Sequence, residues 1–188
     1  MNPLAIQKAT KKLEKMKKAA GLIVDGAPVS VIIDAWETFL SASGTFYSAL
    51  EQGSKASKKS KHWFDLEKHK RRTDPLLKYL HHARNAEEHG LRGITKITNS
   101  NVLLKPGASA EVSSDGKQLY VRAIEGEVEF PGDRIAIIRV HNDKFNNHCD
   151  PPDTHLEKNI DDRSPKGVAT LAIIYFEKML EAAQKLLD

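Results

Sequence analysis

The chain has 188 residues, of which 40% are hydrophobic and 29% charged, and a formal net charge of +4. That length supports one substantial core, and that balance belongs to a folded protein and excludes a disordered one. No apolar run approaches the roughly 20 residues of a membrane span, and Cys149 is the only cysteine, which excludes an intramolecular disulfide. With no secretory apolar stretch at the N-terminus, a cytoplasmic setting is the expectation.

The first helix is predicted over residues 3–20, where Ile6, Ala9, Leu13, Met16 and Ala20 recur at three-and-four spacing with lysines opposite. Gly21 to Pro28 breaks it. A longer helix follows over about 29–52, with Ile32, Trp36, Phe39, Ser43, Phe46, Tyr47 and Leu50 along one side, a stripe that reads as core. Gly53 to Ser60 reads as a mobile Ser/Lys/Gly linker. Residues 61–72 form a short helix whose apolar anchors are Trp63, Phe64 and Leu66. Residues 55–72 carry eight lysines and arginines against Asp65 and Glu67, a density that suits a phosphate backbone.

Asp74-Pro75 has the cap-plus-proline signature of a helix start, and Gly90 suits a left-handed C′ position at its end. The period then changes. Runs near 94–98, 101–105, 109–113, 117–124, 127–130 and 134–140 are β-rich and punctuated by Pro106-Gly107, Asp115-Gly116, Gly126 and Pro131-Gly132, as turns of an antiparallel meander would be. Residues 141–163 read as a long polar loop. Ser164-Pro165 repeats the helix-start signal and opens a last helix to about residue 187, with Val168, Leu171, Ala172, Tyr175, Met179, Ala182 and Leu186 as its stripe.

The expected fold is therefore α+β: a predominantly helical bundle of four or five helices with a small antiparallel β-meander lobe inserted before the C-terminal helix. Residues 1–92 and 164–188 make the bundle, 93–140 the insertion and 141–163 the loop.

The most pointed chemistry lies in Arg84, Asn85 and His89. A permanent cation, an amide and an imidazole are what holding a phosphodiester and moving protons without a metal requires. At 100° per residue, Leu76, Leu77, Tyr79, Leu80 and Ala83 set the core direction, and Lys78, His82, Asn85 and His89 form a polar stripe facing away from it. Arg84 falls on the flank, about 140° from His89 and roughly 7.5 Å along the axis. On one straight helix those two side chains have no common target, so either the long Arg84 side chain reaches around the helix or the same helix of a second subunit supplies the other group. The spacing further pairs Arg84 with Glu87, and the helix dipole favours a protonated His89.

Leu80 to Gly90, with Arg84-Asn85 and His89, resembles the Arg-x4-6-His motif of the HEPN superfamily in its Arg-Asn-x-x-x-His form. The likeness extends over the helical part, while its specific portion is about a dozen residues. It implies a dimerising helical bundle and a metal-independent endoribonuclease of toxin–antitoxin, CRISPR-associated or anti-phage systems. Arg84 would bind the scissile phosphate, His89 would act in proton transfer or orient the 2′-hydroxyl, and Asn85 would support them. The product would be a 2′,3′-cyclic phosphate. RNA, a second copy of the chain and an antitoxin protein are the implied partners. Lys58, Lys59, Lys61, Lys78 and His82 are the candidate RNA-binding residues, and neither a cofactor nor a metal is expected. The β-rich insertion departs from the basic family bundle. The alternatives are a non-catalytic module of the same kind that binds RNA or protein, and a plain structural or interaction protein.

His141, His148, Cys149 and His155 offer metal-binding donors, but at a spacing that matches no familiar zinc pattern. Neither a nucleotide-binding glycine loop nor a thiol-enzyme signature is present. Trp63-Phe64 beside the lysine run reads as an anchor for its helix in preference to a base-stacking platform.

Overall fold

A computed structural model describes residues 1–90, 92–98, 103–116, 119–129, 134–142 and 147–187. Five helices carry the fold: α1 (Pro3–Leu22), α2 (Val29–Ser54), α3 (Lys58–Thr73), α4 (Pro75–His89) and α5 (Pro165–Gln184). Most residues of the stripes read from the sequence are buried, but Ala20, Leu171, Ala182 and Leu186 lie only partly buried, and Phe176, absent from the predicted stripe of the last helix, is enclosed. Trp36, Phe39, Phe46 and Leu50 of α2 are fully enclosed, with Met16 of α1 and Phe176 of α5 beside them. The architecture is α+β and mainly helical, with small antiparallel strand pairs before the last helix. No helix of the described residues is long and apolar enough to cross a membrane.

Helix boundaries follow local chemistry. Asn2, Asp74 and Ser164 cap α1, α4 and α5 by accepting the backbone N–H groups of Leu4, Leu77 and Gly167, each ahead of a proline in the first turn. Between α2 and α3 the anticipated linker shrinks to three residues. Ser57 caps α3, and the buried Ser60 hydroxyl donates to the Ser54 carbonyl at 2.8 Å, so the basic segment starts from a hydrogen-bonded corner and not from a mobile one. Gly90 is also not left-handed. Its φ of −96° and ψ of 165° are extended, and a Cβ there would collide with the Ala86 carbonyl oxygen, so glycine serves close approach.

The insertion holds β1 (Thr95–Thr98), β2 (Leu103–Leu104), β3 (Ser109–Ser114), β4 (Leu119–Glu125), β5 (Val128–Glu129) and β6 (Arg134–Ile137). Their pairing is nested, β3 with β4, β2 with β5 and β1 with β6, all antiparallel. The insertion is thus an interrupted ribbon in which early strands return to late ones. Its base is anchored where Ile94, Ile135 and Ile137 are buried and β6 meets α2 and α5. Its tip leaves Val112, Tyr120 and Ile124 exposed. The Gly107 and Gly116 turns have the positive φ that glycine permits. The predicted turn at Pro131-Gly132, and the runs at 101–102, 117–118 and 130, lie outside the described residues.

The segment read as a polar loop is more ordered than that. β7 (Val140–Asn142) pairs with β8 (Asn147–Cys149), and β9 (Thr154–His155) with β10 (Lys158–Asn159), and β7, β8 and β9 all pack on α4. Helix α4 is consequently the hub, in contact with α2, α3, α5 and these hairpins.

Candidate functional site

Helix α4 buries Leu76, Leu77, Tyr79, Leu80, Ala83 and Ala86, which fixes where its polar residues emerge. Arg84 leaves the core flank and lies across α2 at Gly44, where a Cβ would come within 2.8 Å of Arg84 Nε. A glycine in the middle of a helix is unfavourable by roughly 0.5–1 kcal/mol relative to alanine, and here it opens the seat of the arginine. From that seat Arg84 Nη1 donates to Asn85 Oδ1 at 3.1 Å, and Nη2 forms an ion pair with Glu88 Oε2. Nε is buried without a hydrogen-bond partner.

The expected Arg84–Glu87 pair is thus replaced by Arg84–Glu88. Glu87 lies close enough to Glu37 of α2 for its charge, added to burial, to raise the Glu37 pKa. The sequence reading denied Arg84 and His89 a common target on one helix, and in the structure Arg84 pairs with Glu88 while His89 comes only near the same carboxylate. His89 Nε2 stands 3.9 Å from the same Glu88 Oε2 that meets Arg84. His89 itself is 74% exposed.

On the other side of Arg84 lies a small cleft lined by Ser43, Gly44 and Tyr47 of α2, Arg71 of α3, Leu77, Leu80, His81 and Arg84 of α4, and Phe176 of α5. Its free volume is about 20 Å³, room for one water or one oxygen atom and not for a base. Arg71 rests over the Tyr47 ring, 4.7 Å from its centroid. His81 Nε2 is 3.4 Å from Asn85 Nδ2. Desolvation, then the charges of Arg71, His82 and Arg84, lower the His81 pKa to about 4, although much of the residue's surface is open. The ring is therefore neutral at neutral pH and can accept a proton or a hydrogen bond.

Arg71 was not among the residues singled out from the sequence, and His81 was noted there only as a neighbour of His89. Arg71 was visible only as one charge in a basic run. On α3, however, Ser60, Phe64, Glu67 and Arg71 repeat at helical spacing, and the first three are buried. That stripe is the signal, hidden because most of it is polar. Leu66, read as an anchor, is instead 51% exposed, while Phe64 is buried and Trp63 packs at the core edge.

The remaining candidates are not brought to the cleft. Lys58, Lys59 and Lys61 are exposed in the first turn of α3, and Lys58 is roughly 20 Å from Arg71 along the helix axis, thirteen rises of about 1.5 Å. Lys61 is also paired with Asp65 at 2.8 Å. Lys78 lies near β8, since its charge acts on the Cys149 thiol, and Lys78 together with burial lowers the His82 pKa. The outward stripe of α4 thus splits, with Lys78 and His82 beside the β7–β8 hairpin and Asn85 beside Arg84.

A second polar network lies deeper. Asp74 accepts from Leu77 N at 2.9 Å and Leu156 N at 2.7 Å, and His155 Nδ1 is 3.0 Å from its Oδ1. Burial pushes the Asp74 pKa up, but the bonds from His155, Leu156 and Leu77 prevail and hold it below the usual carboxylate value. Tyr175 donates to the buried Glu67 at 2.5 Å, and Lys70 pairs with the same carboxylate. The Tyr47 hydroxyl lies close to that of Tyr175 but lacks hydrogen-bond geometry. His155 is thereby committed to Asp74, whereas His141 and His148 face each other across β7–β8. Among the described residues no three His, Cys, Asp or Glu side chains are placed to hold a metal ion.

Comparison with protein-family models, with curated proteins and with solved structures finds no match to this chain.

Proposed function

We propose that this chain is a HEPN-like, metal-independent endoribonuclease that works as a homodimer and leaves 2′,3′-cyclic phosphate ends. The observation carrying this reading is that Arg84 and His89 both face one anionic oxygen, Glu88 Oε2. A non-bridging phosphate oxygen has the same charge and hydrogen-bonding character, and an arginine fork suits it. In the reaction the 2′-oxygen attacks phosphorus and gives up its proton, the bond from phosphorus to the 5′-oxygen breaks, and that oxygen takes a proton. Arg84 would hold the charge that builds on phosphorus oxygens, Asn85 would fix Arg84, and His89 would carry protons.

An exposed His89 has the freedom to meet a substrate or a partner subunit, which fits a site completed across a dimer. By the same likeness, toxin or anti-phage action and an antitoxin partner would be the biological setting, in the cytoplasm. Cutting of single-stranded or structured RNA in EDTA tests the chemistry. His89→Ala should abolish cutting with its circular dichroism and melting unchanged, and undiminished cutting by this variant would end the proposal.

One observation favours a second reading, a module that binds RNA without cutting. Glu88 already neutralises Arg84, and a site occupied by its own carboxylate can serve weak, salt-dependent binding alone. In that case RNA should bind uncut, and Arg84→Ala should weaken binding only slightly.

A further inference from the structure

We infer that Arg71 and His81 form with Arg84 a receptor for one phosphate oxygen, set in the cleft between α2, α3 and α4. The inference rests on reading Arg84 as a phosphate-binding residue, and adds to it a second arginine and an imidazole contributed by the same chain.

Three features of the cleft carry it. First, Arg71 is unpaired. Among the described residues it makes no hydrogen bond or ion pair, and its one specific contact is the Tyr47 ring. A guanidinium held over a ring face and without an ion pair still has N–H donors to offer an acceptor such as a phosphate oxygen. Second, Arg71 and Arg84 arrive from different helices and line one opening together with His81, which feels both charges. Arg84 is already paired with Glu88, so it is the unpaired Arg71 charge beside it that favours an anion there. Third, the free volume of about 20 Å³ matches one oxygen atom, so a phosphodiester would rest on the mouth with one oxygen inward and its bases outside. Sequence preference would then have to be read elsewhere on the chain.

The surroundings of His81 are Arg71 from α3, His82, Arg84 and Asn85 from α4, and Tyr47 from α2, with Glu88 on Arg84 and Glu51 within reach of the Arg71 charge. An arriving phosphate offsets the two guanidinium charges and gives a protonated His81 a partner. The ring would pass from hydrogen-bond acceptor to donor as the ligand binds.

The test is an NMR pH titration of the His81 ring, with and without inorganic phosphate, at an ionic strength held equal with chloride. In the parent protein phosphate should raise the His81 midpoint by about one pH unit or more, saturably, a tenfold change in proton affinity. Arg71→Gln should remove most of that phosphate-induced rise, and Arg71→Lys, which keeps the charge but loses the fork, should retain part of it. Lys12→Gln on α1, also one positive charge fewer, should leave it unchanged. A midpoint that phosphate does not move, or a rise equal in the parent and Arg71→Gln, overturns the inference. Because the readout needs no RNA, a chain that binds phosphate here without cutting RNA would refute the nuclease reading alone.

Discussion

The Arg84 guanidinium is ion-paired with the Glu88 carboxylate one turn further along α4, and that pair sets the resting state of the candidate site. Both side chains are partly screened from water, at 30% and 26% exposure, so the pair is firmer than a fully solvated one but short of a buried bridge. If Arg84 binds an RNA phosphate as proposed, that phosphate has to displace Glu88 or share Arg84 with it.

Glu88→Gln should therefore tighten RNA binding. The variant removes the competing charge and keeps the shape, and a several-fold gain in affinity at low salt is expected by fluorescence anisotropy. Stability should change by no more than about 1 kcal/mol, the upper end for a pair that is only partly screened from water. Equal or weaker RNA binding by Glu88→Gln would show that Glu88 does not compete with the substrate.

Gly44→Ala separates stability from function. Alanine should favour α2 by roughly 0.5–1 kcal/mol, yet the new methyl meets Arg84 Nε and Cδ. The side chain, not the backbone, has to yield. Melting temperature should hold or rise while RNA cutting, or binding if the chain only binds, falls about tenfold, a misplacement effect of the size expected for a group shifted by a few tenths of an ångström or more. Full activity would mean that Arg84 does not work from this seat.

What the sequence made legible follows from the range of the forces involved. Helices were readable because apolar periodicity and caps are local: Asp74 and Ser164 announce their helices within three residues. The nested strand pairing was not, because β1 meets β6 across an intervening ribbon and nothing in either strand names its partner. The likeness around Arg84, Asn85 and His89 was likewise local, whereas Arg71 reaches the cleft beside Arg84 only through the packing of α3 on α2 and α4. His155 and Asp74 are 81 residues apart, and the sequence grouped His155 with the other loop histidines instead.

The β9–β10 hairpin turns on Leu156 and Glu157, whose φ values of +47° and +65° are both left-handed. A two-residue turn of this kind prefers Asn-Gly, and a branched or long side chain there costs on the order of 1 kcal/mol per residue. The Leu156 N–H bond to Asp74 helps hold the strained turn. The double variant Leu156→Asn with Glu157→Gly keeps that N–H and relieves the strain, so a melting temperature a few degrees higher is expected. A lower one would show that the Leu156 side chain contributes packing despite its exposure.

Acid should loosen the same region, and the sign follows from Asp74. Its folded pKa lies below its unfolded value of about 3.9, so its contribution is complete above that value and is lost as pH falls through the folded one. His81 acts earlier. Its folded pKa of about 4 is below the unfolded value of about 6.5, so the unfolded chain binds the extra proton between those values and stability falls as pH drops from about 6.5 toward 4. Its exposure keeps that slope shallow. His81→Asn should flatten the decline above pH 4 and leave the loss below it, whereas Asp74→Asn should do the reverse and lower stability at neutral pH. Urea denaturation at a series of pH values distinguishes the two, and an unchanged upper slope in His81→Asn would show that its ring is not held neutral by the cleft.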